Sequence, residues 1–186
     1  MEKNATTTER KSRVICPNTV LTTSIRIPPL TRRLMKVLSA LMGVPIIHRG
    51  KSNLDEIAYY VKRAGFRSFI VILSKGDRPS CLRFYKLTSS GFFVRFGYVV
   101  LGDIIFHMRP KIFIGTNIIQ DDLGEPAMRI WNFLIGVFGE DTCKGLRGSI
   151  CRCIIKSTGE LGVIEFWWRR KILTMNVKKV VLLREK

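Results

Sequence analysis

The stretch NLDEIAYYVKRAGFRSFIVIL, residues 53–73, carries the two patterns that decide the fold of this chain. Asn53 can cap a helix, and Glu56 three residues later completes a capping box. Acidic residues begin this predicted helix and basic residues end it, which suits the helix dipole, and Gly65 closes it. The nearly all-apolar run at 68–73 is typical of a strand covered on both faces. Together they favour an α/β fold.

Apolar spacing predicts further helices and strands on both sides of this stretch. Apolar residues from Leu30 to Leu41 recur at helical spacing, and Gly43 ends that helix. Another helix is predicted at residues 126–138, closed by Gly139. Apolar and β-branched runs predict strands at residues 20–24, 44–48, 81–87, 92–100, 111–116, 150–157, 162–168 and 177–183, with a basic loop at 75–80.

The domain organisation follows from these elements and from the length of 186 residues, which favours one domain with two lobes. Residues 1–17 are interpreted as a flexible polar and basic tail that ends at Pro17. A weak internal similarity relates the first strand and helix to a strand and helix near residues 114–139. We therefore expect two related α/β halves, at about 18–90 and 91–186.

Charge is the strongest indication of function. The chain has 32 Lys and Arg against 14 Asp and Glu, a net +18, yet 46% of its residues are hydrophobic, so it can fold. The tail holds four basic and two acidic residues, which leaves +16 on the folded part. Residues 1–90 hold 17 basic and 5 acidic residues, and 91–186 hold 15 and 9, so the first half is more positive. Such a body attracts polyanions: nucleic acid first, an anionic membrane surface second.

The apolar runs, the N-terminus and the cysteines indicate the compartment and solubility of the protein. The apolar runs are far shorter than the ~20 residues that cross a bilayer, and the N-terminus is polar. The five cysteines form no regular disulfide framework, which is typical of reduced thiols. These patterns predict a soluble, cytoplasmic protein that is not a membrane partner.

Motifs for cofactors, metals and catalysis are weak. Residues 50–52, GKS, resemble the end of a phosphate-binding loop, but Pro45 stands where that loop needs a glycine, so a basic turn is favoured. The cysteines at 143, 151 and 153 lie far from His48 and His107, which favours core thiols over a zinc site. The histidines also have no nearby catalytic partner. We expect no cofactor, no metal, no small-molecule substrate and no catalytic residue.

Basic residues cluster where phosphates bind well, at a predicted helix start and in tight turns. The alternative for each of them is a solvated basic face. Residues 167–171, WWRRK, join aromatic surface to positive charge; alternation places one tryptophan in the core and leaves the other for a base or a protein interface. The candidate RNA-binding residues are Arg26, Arg32, Arg33, Lys36, Arg49, Lys51, Lys75 and Arg78, with a second patch of Arg152, Lys156, Arg169 and Arg170.

The order of several segments resembles the Brix-domain family of ribosome-assembly proteins. Residues 23–28, TSIRIP, resemble its N-terminal signature, although Arg26 stands one position later than the family's arginine. Residues 109–117, RPKIFIGTN, followed by the helix at 125–138, resemble its central segment. The resemblance covers roughly residues 20–185 and is carried further by RGK at 49–51 before LDEI, by the strands and basic turn at 69–84, and by segments 162–170 and 177–184.

The resemblance is to the single-domain archaeal members. It implies two similar α/β half-domains with mixed sheets and packed helices, resembling the anticodon-binding domain of class II aminoacyl-tRNA synthetases. It also implies a non-enzymatic factor that binds ribosomal RNA or its precursor, acts in pre-rRNA processing and subunit maturation, and meets other ribosome-assembly proteins. Two alternatives stay open: a protein-interaction scaffold for an acidic partner, and an RNA-processing enzyme.

Overall fold

A computed structural model of the chain describes residues 18–108, 116–120, 124–138 and 151–183. The described part is one eight-stranded mixed sheet with helices on both faces, and the strand order is β1-β2-β3-β4-β8-β7-β6-β5. The elements in chain order are β1 (Thr19–Thr23), α1 (Pro29–Met42), α2 (Leu54–Arg63), β2 (Ser68–Lys75), β3 (Arg78–Leu87), β4 (Phe93–Phe106), β5 (Thr116–Gln120), α3 (Glu125–Phe138), β6 (Cys151–Thr158), β7 (Leu161–Trp168) and β8 (Arg170–Leu182).

The sheet has two similar halves. In each half an edge strand runs parallel to its neighbour, β1 to β2 and β5 to β6, and the remaining strands are antiparallel. A helix follows each edge strand along the chain. The halves join where β4 pairs with β8, for example Phe106 opposite Leu173. This confirms the predicted α/β fold class. From the strand order we propose that β4 belongs to the first half, so that the division follows Phe106 instead of residue 90.

The three helices cover opposite faces of the sheet. The face covered by α1 and α3, here called the front face, holds the larger core, in which Leu38 of α1 and Ile130 of α3 are buried. Phe133 of α3 packs edge-on against Phe84 of β3, with ring centroids 4.9 Å apart, so α3 reaches across into the first half. The opposite face, here called the back face, is covered by α2 over β1 and β2.

Local sequence explains the helix ends. Asn53 and Glu56 form the predicted capping box at the start of α2, and the Glu56 N–H donates to Asn53 Oδ1 at 2.8 Å. Helix α1 begins at Pro29, where a missing N–H costs nothing. It ends at Gly43, whose φ of 65° is a conformation that glycine adopts without a steric penalty.

Two predicted elements were wrong. The expected strand at residues 44–48 is a single bridge between Leu21 and Ile46. Pro45 has no N–H and so limits a ladder there, although its carbonyl accepts from the Leu21 N–H at 2.9 Å. The expected loop at 75–80 is a tight hairpin turn in which Lys75 pairs with Arg78 and Gly76 has φ of 59°.

Other strands differ from expectation in length. β4 and β8 extend well beyond the predicted 92–100 and 177–183, because each has a partner strand on both sides for much of its length. The strand predicted at 111–116 overlaps the described residues only at Thr116, where β5 begins. The predicted tail at 1–17, Gly139 and Cys143 lie outside the described residues.

Candidate nucleic-acid interface

One edge of the sheet collects most of the predicted basic residues. Strands β1, β2, β4 and β7 end there, and β3, β5, β6 and β8 begin there, as the parallel and antiparallel pairings require. We call this the upper edge; it is marked by Thr23, the turn at 75–78, Phe106 and the turn at 168–170. Helix α1 starts at the upper edge because it follows β1 directly.

The first group of predicted residues belongs to the start of α1 and the neighbouring hairpin. Arg32 and Arg33 lie in the first turns of α1 and are exposed, off its buried stripe. Lys36 is also exposed, about 6 Å further along the axis than Arg32. The remaining exposed members are Arg26 in the loop before α1 and Lys75 and Arg78 in the β2–β3 turn.

Arg33 joins this group to the centre of the sheet. Its guanidinium carbon lies 4.3 Å from the centroid of the Phe106 ring at the end of β4. Phe106 pairs with Leu173 of β8, and Arg170 begins the same strand three residues earlier. A strand rises about 3.3 Å per residue, so Arg170 lies about 10 Å along β8 from this stack.

The β7–β8 turn brings part of the second predicted patch to the upper edge. Trp168 pairs with Arg170 across the turn, and Arg169 between them has φ of 56°. The guanidinium of Arg169 lies 5.7 Å from the Trp168 ring centroid. Arg169 and Arg170 are exposed. The upper edge therefore unites residues from both predicted patches.

The other members of the second patch lie on the back face of β6. Arg152 and Lys156 point away from Cys151 and Cys153, which are buried in the front core, because successive side chains of a strand point to opposite faces. Arg152 lies near the upper edge and Lys156 four residues below it. The two tryptophans also lie on different faces, and Trp168 packs against the front core. Trp167 pairs with Lys171 of β8. The Lys171 ammonium lies 4.9 Å from the centroid of the Trp167 ring.

Glu165 of β7 is a residue that the sequence analysis missed. It is only 7% exposed, and its carboxylate accepts hydrogen bonds from Lys171 Nζ at 2.5 Å and Trp167 Nε1 at 3.0 Å. Lys156 Nζ lies 3.7 Å away. Burial raises the pKa of Glu165, but these hydrogen bonds and the lysine charges outweigh it and hold the pKa below its usual value. Lys156 is thus partly neutralised within the protein.

Arg49 and Lys51 lie in the turn before α2, beyond the β1 side of the sheet. Arg49 is half-buried, and its Nε donates to the Ser52 carbonyl at 2.8 Å, so it stabilises the turn. Lys51 is exposed. Two further arginines, Arg83 and Arg95, were not among the predicted residues. Strand alternation could have placed Arg83 on the same face as Cys81, whereas Arg95 comes from β4, where it pairs with Tyr85. Burial raises the pKa of Cys81 while the two arginines oppose the shift.

Histidines, acids and cysteines are the side chains that catalysis or a metal ion would use. His107 Nε2 lies 3.0 Å from the Thr174 hydroxyl, and His48 is exposed. Among the described residues, no three His, Cys, Asp or Glu side chains come together as a metal site. No helix in the described ranges has the length and apolar character needed to cross a membrane.

The fold matches solved structures closely, while sequence comparison finds no relative. No family model and no curated protein matches the chain. A probable ribosomal biogenesis protein from Aeropyrum pernix K1 superposes with a TM-score of 0.74 at 16% identity, over 90% of this chain and 99% of that one. Mil, an archaeal Imp4-like protein, superposes with a TM-score of 0.68 at 20% identity, over 89% and 99%. Both are of the Brix-domain type, and the chain has their fold, as its sequence resemblance implied.

Proposed function

We propose that the chain is a non-enzymatic ribosome-assembly factor that binds ribosomal RNA or its precursor through the upper edge. The observation that carries the proposal is the set of uncompensated cations there. Within the described part of the chain, the ion pairs involve only Arg129, Lys156 and Lys171. The exposed cations at the upper edge that form no ion pair with a described acid are Arg26, Arg32, Arg33, Lys75, Arg78, Arg169 and Arg170.

Such an edge suits a phosphate backbone. Folding places like charges together, which destabilises the protein, and a polyanion relieves this repulsion when it binds. Arginine also offers a planar fork that matches phosphate oxygens in two hydrogen bonds. The charges are spread along the upper edge, from the loop before α1 to the β7–β8 turn. They therefore fit an extended strand of RNA better than a small anion.

The two fold neighbours connect the proposal to ribosome assembly. One is described as a probable ribosomal biogenesis protein and the other as Imp4-like. Taken with the net charge of +18, this supports ribosomal RNA as the polyanion and ribosome-assembly proteins as further partners. The chain would position RNA during pre-rRNA processing and subunit maturation, and it would do so in the cytoplasm.

The proposal is tested by measuring RNA affinity as a function of salt for two matched triple variants. The first replaces Arg32, Arg33 and Arg78 at the upper edge with Ala. The second, the control, removes the same charge at the opposite end by replacing Arg63, Lys178 and Lys179. We expect the upper-edge variant alone to lose tenfold or more in affinity, and the slope of log K against log salt to fall by about 2, because each single-strand phosphate contact contributes about 0.7.

The outcomes separate the proposal from its alternatives. Equal losses in the two variants would show that bulk charge, and no particular edge, attracts RNA. Absence of RNA binding, together with nuclease-resistant capture of an acidic protein, would favour the scaffold alternative. If the purified chain cleaves RNA and His107→Ala abolishes that cleavage, the RNA-processing enzyme becomes the favoured alternative.

A further inference from the structure

A groove at the upper edge combines apolar walls with one charge of each sign. Its volume is about 240 Å³, and it lies between the first turn of α1, the β2–β3 hairpin and the end of β4. Leu30, Pro79, Ile104 and Phe106 give it apolar walls, and Arg78 and Asp103 are its charged residues. Small-ligand sites in proteins are usually concave pockets that combine apolar walls with a few polar groups.

Asp103 is the acidic residue of this groove. Asp77 in the hairpin turn is also an exposed acid near the arginines and lysines of the upper edge, but only Asp103 lines the groove. Asp103 forms no ion pair with any described basic residue, although Arg78 lines the same groove. An acid at a polyanion-binding edge repels phosphate. Its presence there is explained more readily by a ligand that brings hydrogen-bond donors to it.

We propose that this groove holds a single guanine base of a bound RNA strand, and that Asp103 recognises its Watson–Crick edge. A carboxylate only accepts hydrogen bonds, and it can accept two side by side. Guanine offers two adjacent donors on that edge, N1–H and the 2-amino group. Adenine and cytosine offer one amino donor beside an acceptor, and uracil offers one N–H between two acceptors, so each leaves one carboxylate oxygen facing an acceptor.

The surroundings of Asp103 suit a base that has left its stack. Proteins recognise RNA mainly through unpaired bases, which they hold on aromatic or arginine planes while reading the base edges. Phe106 lines the groove, and its ring is already stacked with the Arg33 guanidinium at 4.3 Å. Arg78 at the other wall is placed for a flanking phosphate, so one nucleotide would meet base, backbone and stacking contacts together.

This inference rests on the proposed function, and its test separates the two. The affinity of the full chain is measured for a uridine oligonucleotide, for the same oligonucleotide with one central guanosine, and for one with inosine there, which lacks the 2-amino group. We expect guanosine to bind about fivefold or more tighter than uridine, since a good bidentate contact gives discrimination of this size. Inosine should lose most of that gain.

Asp103→Asn should abolish the guanosine preference while leaving uridine binding intact or slightly stronger. Asp77→Asn is the matched control: it removes the same charge from the adjacent hairpin turn, outside the groove lining, and should keep the preference. Both positions are exposed, so folding should be unaffected.

Each result decides the question. Equal affinity of the wild-type chain for the guanosine and uridine oligonucleotides overturns the base pocket but leaves the proposed function standing. Weak binding of both oligonucleotides overturns the proposed function itself. If guanosine monophosphate binds in a way that depends on Asp103 while the oligonucleotides do not bind, the ligand is a free nucleotide. That result would overturn the proposal that the guanine belongs to an RNA strand.

Discussion

The guanidinium carbon of Arg33 lies 4.3 Å from the centroid of the Phe106 ring, and this contact joins α1 to the strand pair that unites the two halves of the sheet. A cation above an exposed ring stabilises a protein by about 0.5–1 kcal/mol. The same arginine belongs to the proposed RNA-binding edge, so stability and RNA affinity should both depend on it.

Arg33→Ala should therefore destabilise the fold by about 0.5–1 kcal/mol, measured by urea unfolding. Arg32→Ala is the control, because Arg32 is equally charged and exposed but has no ring contact in the described structure. Its unfolding free energy should change little, while both variants lose RNA affinity. Equal stability of the two variants would contradict a structural role for the stack.

Glu165→Gln should destabilise the fold by about 1–2 kcal/mol at neutral pH, a value discounted because both lysine partners are partly exposed. The carboxylate has a lowered pKa in the folded protein, so its stabilisation is present above the unfolded pKa, near 4.3, and is lost as pH falls through the folded value. The difference in unfolding free energy between wild type and variant should therefore shrink toward pH 3. Glu160→Gln, at an exposed position in the β6–β7 turn, should show no such change.

Close packing of α3 on β7 gives a prediction about the core. A Cβ on Gly162 would lie 2.2 Å from Ile130 Cδ1 and 3.3 Å from its Cγ1. Gly162→Ala should thus destabilise the fold by about 1–3 kcal/mol through overpacking. Ile130→Val removes the clashing methyl and alone costs about 0.5–1.5 kcal/mol. The double variant should cost clearly less than the sum in urea unfolding, and strict additivity would contradict the contact.

Local patterns predicted the helices well because capping and periodicity are local properties. The Asn53–Glu56 box and Gly43 defined the helix ends, and alternation placed Cys151 and Cys153 inward from Arg152. The insertion of β8 between β4 and β7 could not be predicted, since it depends on pairing between residues far apart in the chain.

The candidate site was predictable in its residue types but not in its arrangement. Sequence spacing indicated that Arg33 faces outward, yet its ring partner Phe106 lies at the end of β4, far along the chain from α1. The sequence also suggested a first group of basic residues and a second patch. The sheet geometry divides them differently, since Arg169 and Arg170 lie on the upper edge with the first group, whereas Lys156 lies on the back face and is bound to Glu165.

Arg152 and Lys156 provide a last, closely matched comparison, because both lie on the back face of β6 and carry the same charge. Lys156 is paired with Glu165 at 3.7 Å, whereas Arg152 forms no ion pair with a described acid. A cation that is already neutralised releases fewer counterions from RNA. Arg152→Ala should therefore lower the slope of log K against log salt by about 0.7, the contribution of one single-strand phosphate contact. Lys156→Ala should leave the slope nearly unchanged. The reverse order would show that the Glu165 pair opens when RNA binds and that the back face contributes through its lysines.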